Sequence, residues 1–194
     1  MIQSCGVRLS LSLHHPGGIM TRRPIEFNNL QIKPHDLWDR QWLLLTSGDF
    51  YAGKFNSMIV GWGGFGTMWK KPFAMIVVRP QRYTFEFMEK FDSFTLSAFS
   101  EKYRKALDLI GTRSGRDLDK YQTTGLTPIP SVQISAPGFD EADLIIECRK
   151  SYWQDLDPTH FQLSSTSAQY PQRDYHRVYF GEILSISGIN KFSG

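Results

Sequence analysis

Cysteine and long hydrophobic runs are scarce in this sequence, and their scarcity excludes several classes of protein. The two cysteines, Cys5 and Cys148, lie far apart and no C-x-x-C pair occurs, so neither a disulfide framework nor a cysteine zinc site is predicted. The longest apolar run, residues 73–78, is far shorter than the about 20 residues of a membrane-spanning helix. We therefore expect no membrane partner.

Clustered positive charge is also absent. The 22 lysines and arginines are nearly balanced by 19 acidic residues, and they occur in ones and twos. A nucleic-acid-binding surface needs a basic stripe, so no nucleic-acid partner is expected. Residues 1–24 lack the apolar core of an export signal and are broken at residues 14–18, which predicts an irregular leader and a cytoplasmic protein. The length of the remainder predicts a single domain over residues 25–194.

Runs of β-branched and aromatic residues bounded by turn residues predict strands through most of the chain. The runs cover residues 42–46, 55–62, 73–78, 94–99, 144–148 and 178–186. Helices are predicted over residues 85–91, with Thr84 as N-cap, over residues 101–110, closed by Gly111, and from Ser114 onward. Because strands and helices do not alternate regularly, a mainly β, antiparallel barrel with short inserted helices is favoured over a doubly wound sheet.

Known catalytic motifs are missing. The sequence contains no nucleophile elbow, no zinc-hydrolase motif and no phosphate-binding loop of the nucleotide-hydrolase type. The glycine-rich stretch at residues 61–66 is followed by no helix and is not interpreted as a dinucleotide fingerprint. His35 and His160 each have an acidic residue nearby, but isolated pairs of this kind are typical of surface loops. We therefore predict no catalytic acid, base or nucleophile and no metal site.

Two segments carry residue types that bind an anion. Arg79, Arg82 and Thr84 lie between a predicted strand and a helix N terminus, where free N–H groups and the helix dipole attract phosphate. Arginine adds charged, forked hydrogen bonds to such a site. Residues 112–120 contain a second set of hydroxyl, glycine and arginine residues at another predicted helix start. Each segment alone is also typical of an ordinary helix start with solvated arginines, but together they predict one phosphate held from two sides.

Seven short stretches carry a resemblance to a known family. They are Asn56-Ser57-Met58-Ile59-Val60-Gly61-Trp62, Lys71-Pro72, Val78-Arg79-Pro80-x-Arg82-x-Thr84, Phe94-Thr95-Leu96-Ser97, Ser114-Gly115-Arg116-Asp117-x-Asp119-Lys120, Ala142-Asp143-Leu144-x-x-Glu147-Cys148 and Asp174-Tyr175-His176-Arg177-Val178-Tyr179-Phe180-Gly181-Glu182-Ile183. In order and spacing, this set resembles the flavin reductase-like proteins with an FMN-binding split barrel, including the flavoredoxin-like branch. The resemblance covers about residues 40–187 and leaves out the leader.

The resemblance implies a six-stranded antiparallel split β-barrel with inserted helices that forms a homodimer. It also implies FMN, less often FAD, bound without a covalent bond near the subunit contact. The residues expected along the isoalloxazine ring and ribityl chain are Asn56, Ser57, Met58, Ile59, Val60 and Trp62. Those expected to flank the ring from the next strand are Ser97, Ala98 and Phe99. Those expected at the phosphate are Arg79, Arg82, Thr84, Ser114, Arg116 and Lys120.

His176 matches the family's histidine near the place where nicotinamide docks, so NAD(P)H is the implied co-substrate. With its ordinary pKa of about 6.5, His176 would make nicotinamide binding sensitive to mild acidity. For His176 and Trp62 the alternative is a purely structural side chain. Ile59 and Gly61 stand where the family most often has Thr and Ser, so two hydroxyl groups that would donate to the flavin are missing here.

The activity implied is that of an NAD(P)H-dependent flavin oxidoreductase, which transfers hydride from nicotinamide to flavin. Such a transfer depends on stacking and orientation more than on protein acids and bases, which agrees with the missing catalytic motifs. Two alternatives stay open. One is an FMN electron carrier of the flavoredoxin type without a nicotinamide site of its own, and the other is a non-enzymatic barrel that binds another ligand, such as haem.

Overall fold

The computed structural model describes residues 21–194 as one long antiparallel sheet with short helices beside it. The strands are β1 Arg23–Pro24, β2 Leu43–Asp49, β3 Lys54–Val60, β4 Gly63–Met68, β5 Lys71–Val78, β6 Ser93–Ala98, β7 Pro128–Ile129, β8 Gly138–Phe139, β9 Leu144–Asp155 and β10 Arg177–Gly188. The helices are α1 Tyr83–Lys90, α2 Arg104–Thr112, α3 Lys120–Thr124 and α4 Ser164–Ser167, and Asp36–Gln41 forms a π-helical turn. Within residues 21–194 no helix is long and apolar enough to cross a membrane.

The main sheet has the strand order β3-β2-β6-β9-β10-β5-β4, and β1 pairs with β10 outside this path. Every pairing is antiparallel, so the prediction of a mainly β, antiparallel fold is confirmed. The six predicted strands correspond to β2, β3, β5, β6, β9 and β10.

The main sheet has eight strands where six were expected, because β1 and β4 were not predicted, and neither were the paired two-residue strands β7 and β8. Strand β4 is the longest of these four. Its glycine-rich sequence pairs with β5 through a tight turn in which Trp69 and Lys70 both have positive φ, 52° and 61°. Hairpin turns of this backbone type usually contain asparagine or glycine, so the sequence carries no turn signal here. The β5 pairing and the packing around the turn impose the conformation.

The boundary between the leader and the domain lies earlier in the chain than predicted. Arg23 and Pro24, placed in the irregular leader, pair with Gly188 and Ser187 at the end of β10. Arg22 donates hydrogen bonds to the carbonyl oxygens of Asp140 and Ala142, at 2.5 and 2.6 Å. The chain therefore joins the sheet before residue 25. The predictions for residues 1–20, including that for Cys5, lie outside the described residues.

Helix α1 begins two residues earlier than predicted, at Tyr83, and Thr84 is not its N-cap. The N-cap position is held by Arg82, whose side chain makes no capping hydrogen bond. The Thr84 hydroxyl instead accepts a hydrogen bond from the Asn56 amide at 2.8 Å, which ties α1 to β3. A tertiary contact thus takes the hydroxyl that the local pattern assigned to the cap.

The other two predicted helix boundaries also move. Gly111 lies inside α2, which continues to Thr112, so it is not a left-handed cap. The third helix begins at Lys120 and not at Ser114, because the Asp119 carboxylate accepts the N–H groups of the first turn. Residues 113–119 are therefore a loop, and this loop lies against β3.

The hydrophobic core has two parts, one beneath the main sheet and one between the sheet and α2. Leu107 and Ile110 of α2 are buried in the second part, and each burial stabilises the fold by roughly 1.5–3 kcal/mol. Gly181, within the last strand, lies at a register shift where a Cβ would come within 2.6 Å of the Phe94 ring. This packing leaves the edge strand β3 flanked by α1 and α2, with a cleft between them.

Candidate functional site

A cleft in two adjoining parts runs along the edge strand β3. The part that we call the aromatic end has a volume of about 280 Å³. Its lining residues are Met58, Ile59, Val60, Gly61, Trp62, Val77, Arg79, Gln81, Arg82 and His176. The part that we call the cationic end has a volume of about 300 Å³. Its lining residues are Asn56, Met58, Gln81, Arg82, Tyr83, Thr84, Ile110, Gly111, Thr112, Arg113, Ser114, Arg116 and Lys120.

The two parts of the cleft adjoin, because both are lined by Met58, Gln81 and Arg82. The two ends differ in chemistry, since one has exposed ring surface and the other has unpaired positive charge. A ligand that spans the cleft would therefore combine a flat ring system with an anionic group.

Arg82 provides the first unpaired charge of the cationic end. Its side chain is exposed and forms no hydrogen bond or ion pair with any of residues 21–194. The guanidinium also lies close enough to Lys120 to lower the pKa of that lysine. Two cations that repel each other in this way are stabilised by an anion placed between them.

Lys120 provides the second charge, and it is buried. Only 4% of the residue is exposed, and its Nζ donates to the backbone oxygens of Ser57 and Ile110 at 2.9 and 3.0 Å. No carboxylate pairs with it among residues 21–194. Burial, and after it the Arg82 charge, lower the pKa of Lys120 to about 8. An ammonium group has three N–H donors, so one remains for a ligand.

The N terminus of α1 opens into the same end of the cleft. No side chain caps it, and Tyr83 and Thr84, the first two residues of the helix, line the cleft. Their N–H groups lack intrahelical partners, and the helix dipole adds partial positive charge. An uncapped helix start, a free guanidinium and an unpaired ammonium together form a site for a phosphate group.

Two of the predicted phosphate ligands already have acidic partners. Arg79 lines the aromatic end, where its guanidinium binds the Asp174 carboxylate at 2.7 Å and donates to the Gln169 oxygen. Arg116 pairs with Glu86 and lies 4.5 Å above the Tyr83 ring. Arg79 and Arg116 therefore contribute less net charge to the cleft than the sequence pattern implies.

The loop of residues 113–119 closes the cationic end against β3. It approaches so closely at Gly115 that a Cβ there would collide with the Asn56 side chain. The Ser114 hydroxyl accepts the N–H group of Arg116 at 3.2 Å, which leaves its own proton for another acceptor. Glycine lets the loop lie this close to Asn56 without moving that side chain, and the loop brings Ser114 into one cleft with Arg82 and Lys120.

Trp62 and His176 form the aromatic end. Trp62 is 49% exposed, and its ring centroid lies 5.0 Å from that of the buried imidazole. The imidazole Nδ1 is hydrogen-bonded to the Tyr170 hydroxyl at 2.8 Å. Burial, and then the Arg79 charge, lower the pKa of His176 to about 4, while Asp174 opposes this. With this lowered pKa, His176 is neutral at mildly acidic pH in the unliganded protein, which does not support the predicted sensitivity of nicotinamide binding to mild acidity.

Four predicted ring neighbours do not line either part of the cleft. Ser57 is fully buried, and its hydroxyl is hydrogen-bonded to Thr46 and Tyr121. Ser97, Ala98 and Phe99 are buried where β6 ends, between β2 and β9. Because β6 lies inside the sheet, no cleft-lining surface reaches these three residues. The other predicted site residues do line the cleft, and their roles toward a ligand stay predictions.

Sequence reasoning missed several residues at the cleft. Gln81 and Tyr83 lie between predicted ligands, and their position in the segment was the only available signal. Tyr170 and Asp174 reach the cleft only through their contacts with His176 and Arg79. A larger cavity of about 670 Å³ lies beside the cationic end and shares Asn56, Tyr83 and Lys120 with it. We place the site in the cleft because the unpaired Arg82 and the Trp62–His176 pair lie there.

Comparison with known proteins identifies the family. The family model of the flavin reductase like domain matches residues 40–191. The chain belongs to this flavin reductase-like family. The match covers β2 to β10, so it includes both ends of the cleft. No curated protein matches the sequence.

Solved structures of the same kind confirm the split-barrel fold of this flavin reductase-like protein. A flavoredoxin of Desulfovibrio vulgaris (Miyazaki F) has a TM-score of 0.60 at 20% identity, over 95% of this chain and 78% of its own. An FMN-binding domain of a flavin reductases-like enzyme from Shewanella baltica OS155 has a TM-score of 0.62 at 15% identity, over 88% and 78%. An NADH:FAD oxidoreductase of Streptomyces globisporus C-1027 has a TM-score of 0.58 at 14% identity, over 79% and 78%.

Proposed function

We propose that this flavin reductase-like protein binds FMN without a covalent bond and oxidises NAD(P)H in the cleft along β3. The observation that carries the proposal is the pairing of two unneutralised cations, Arg82 and Lys120, with the Trp62–His176 ring pair in one cleft. FMN has matching chemistry at its two ends, a flat tricyclic ring and a phosphate dianion. The residues therefore fit this cofactor.

Arg82, Lys120 and the uncapped N–H groups of α1 would hold the phosphate. Met58, Ile59 and Val60 present strand side chains and backbone along the cleft, where the ring and its chain would lie. Bound FMN would supply the hydride-accepting chemistry that no side chain of the protein offers. The protein's own part is to bind, orient and exclude water, which requires no catalytic acid or base.

The neutral state of His176 supports the same assignment. An uncharged imidazole beside Trp62 leaves the aromatic end free of positive charge from this residue, so the pyridinium ring of an oxidised nicotinamide is not repelled by it. Structural neighbours include an NADH:FAD oxidoreductase, which is the kind of protein proposed here, and flavoredoxins, which are the kind of protein in the alternative.

Anaerobic stopped-flow mixing of the FMN-loaded protein with NADH, and separately with NADPH, tests the proposal. Rapid bleaching of the flavin absorbance by either nucleotide is the expected result. A yellow protein that neither nucleotide bleaches would be the electron carrier of the alternative. A protein that takes up haem, with a Soret band, and does not take up FMN would overturn the proposal in favour of a ligand-binding barrel.

His176→Ala is expected to keep FMN bound and to raise the apparent KM for NAD(P)H several-fold, with a smaller change in kcat. The imidazole touches Trp62 at the aromatic end and lies away from the phosphate site, so its loss affects nicotinamide more than FMN. Steady-state kinetics with a parallel FMN titration measure both effects. Loss of bound FMN would make His176 a cofactor or folding residue, and unchanged kinetics would make it purely structural.

We also propose that the protein is a homodimer. Trp69 and Tyr152 are 62% and 46% exposed, and their ring centroids lie 6.4 Å apart. Contiguous exposed aromatic surface of this kind commonly lies at a protein interface. Light scattering at micromolar concentration should give a mass near twice 22.3 kDa. A mass near 22.3 kDa would contradict the proposal.

A further inference from the structure

Tyr170 contacts the His176 imidazole and is held on several sides. It is 5% exposed, and its ring stacks on Phe161 and contacts Tyr175, with centroid distances of 5.7 and 5.1 Å. The Arg79 guanidinium lies 5.2 Å from its ring centroid. Its hydroxyl makes one hydrogen bond within residues 21–194, to Nδ1 of His176 at 2.8 Å. A side chain fixed in this way has one position for its hydroxyl.

The protons of this hydrogen bond can be assigned by counting acceptors. If His176 carried its proton on Nδ1, that N–H would donate to the phenol oxygen, and the phenol proton would need another acceptor. No other acceptor among residues 21–194 bonds to the Tyr170 hydroxyl, and the residue is buried. Burial also raises the pKa of Tyr170, so the phenol keeps its proton. The arrangement that satisfies both groups has the phenol donating to an unprotonated Nδ1.

The other imidazole nitrogen faces the cleft. Nε2 forms no hydrogen bond within residues 21–194, and it is not among the fully buried polar atoms that lack a partner. His176 also lines the aromatic end. With Nδ1 unprotonated in a neutral ring, the single proton lies on Nε2 and points to a ligand.

We propose that Tyr170 is a positioning residue that fixes His176 as a neutral Nε2–H donor for a carbonyl oxygen of the ligand at the aromatic end. A neutral N–H donor suits an uncharged acceptor such as a carboxamide oxygen, and it would orient the ring that carries this group against Trp62. The choice of a nicotinamide carboxamide as the acceptor rests on the proposed function. The proton assignment does not rest on it.

Arg79 and Asp174 hold this arrangement in place. Asp174 accepts hydrogen bonds from Arg79 and Gln81, which keeps the guanidinium over the Tyr170 ring. The same guanidinium disfavours a second proton on His176, and burial acts in the same direction. Burial and the Arg79 charge therefore keep the imidazole neutral, whereas Tyr170 determines which nitrogen carries the proton.

Nitrogen NMR of the histidine-labelled protein at neutral pH tests the proton assignment directly. We expect the His176 Nδ1 signal at the position of an unprotonated nitrogen and the Nε2 signal at that of a protonated one. In Tyr170→Phe the two signals should move toward each other, as both tautomers become populated. Tyr175→Phe is the matched control, because the Tyr175 hydroxyl forms no hydrogen bond within residues 21–194, and it should leave the signals unchanged. A protonated Nδ1 in the parent protein, or unchanged signals in Tyr170→Phe, would overturn the proposal.

A double-mutant cycle tests the role in binding. Tyr170→Phe should raise the KM for NAD(P)H several-fold with little change in kcat, and it should have no further effect in a His176→Ala background. An equal effect in both backgrounds would show that Tyr170 acts by another route and would overturn the positioning role. The NMR measurement requires neither FMN nor NAD(P)H, so failure of the proposed reductase activity and failure of the proton assignment are distinguishable.

Discussion

Replacing Lys120 by methionine is expected to weaken FMN binding by about ten- to a hundredfold, since a hydrogen bond to a charged group contributes roughly 1.5–3 kcal/mol. The ammonium group is buried, bonded to two backbone oxygens and unpaired with any carboxylate of residues 21–194. A phosphate dianion would supply the missing negative charge. Methionine keeps most of the side-chain length and removes the charge, and quenching of flavin fluorescence measures the affinity.

Riboflavin and an exposed lysine provide the controls. Riboflavin lacks the phosphate, so its affinity should change little in Lys120→Met. Lys105 lies exposed on α2, and Lys105→Met should leave FMN binding unchanged. Thermal unfolding of the FMN-free variant shows whether it folds. An Lys120→Met protein that folds and binds FMN as tightly as the parent would remove Lys120 from the phosphate site.

The pH dependence of binding is a second signature of the same residue. Lys120 in the folded protein has a pKa of about 8, below the ordinary lysine value of 10.5 that applies to the unfolded chain. Between these values the unfolded chain holds more protons, so the contribution of Lys120 to the free energy of unfolding rises with pH. FMN affinity should fall as pH rises above about 8, because the ammonium loses its charge. Both trends should disappear in Lys120→Met.

Arg82→Ala is expected to weaken FMN binding by at least about tenfold, because it removes a charged and forked donor whose pairing contributes roughly 1.5–3 kcal/mol. Arg82 is the guanidinium that lines both parts of the cleft without an acidic partner in the described chain. Arg79 and Arg116 cannot replace it without leaving Asp174 and Glu86. The same fluorescence titration, with riboflavin as the second ligand, measures the effect.

The matched control for this variant is Arg149→Ala. Arg149 is an exposed arginine on β9, outside the cleft, so it reports the effect of losing one surface charge. FMN affinity should be the same in Arg149→Ala as in the parent protein. If Arg82→Ala also matches the parent, the phosphate lies elsewhere, and the larger cavity beside the cationic end becomes the place to look.

Local patterns in the sequence predicted much of the fold. Each of the six predicted strands exists, because runs of β-branched and aromatic residues and the turn residues that bound them are properties of short segments. The boundaries of α1 and α3 were less accurate. Thr84 was predicted to cap α1 but bonds to Asn56, and α3 is capped by Asp119 and not by Ser114. A capping hydroxyl can bond to any donor that folding brings near it, and Asn56 is such a donor.

For the candidate site, too, some features follow from the sequence and others only from the folded chain. The sequence by itself determined that Arg82, Lys120, Trp62 and His176 are available, and that no known catalytic motif or C-x-x-C pair accompanies them. Only the tertiary structure decided which cations are unpaired, because Asp174 neutralises Arg79 from 95 positions away and Glu86 neutralises Arg116 across the loop.

Burial was likewise decided only by the folded chain. Lys120 lies beneath α2 against β3, His176 lies against Tyr170, and Ser97 is enclosed between two strands. Charge and hydrogen-bonding capacity belong to a residue type and can be read along the chain. Desolvation, pKa and the partner of each group depend on which distant segments pack around it, and they exist only when the sheet and its helices have come together.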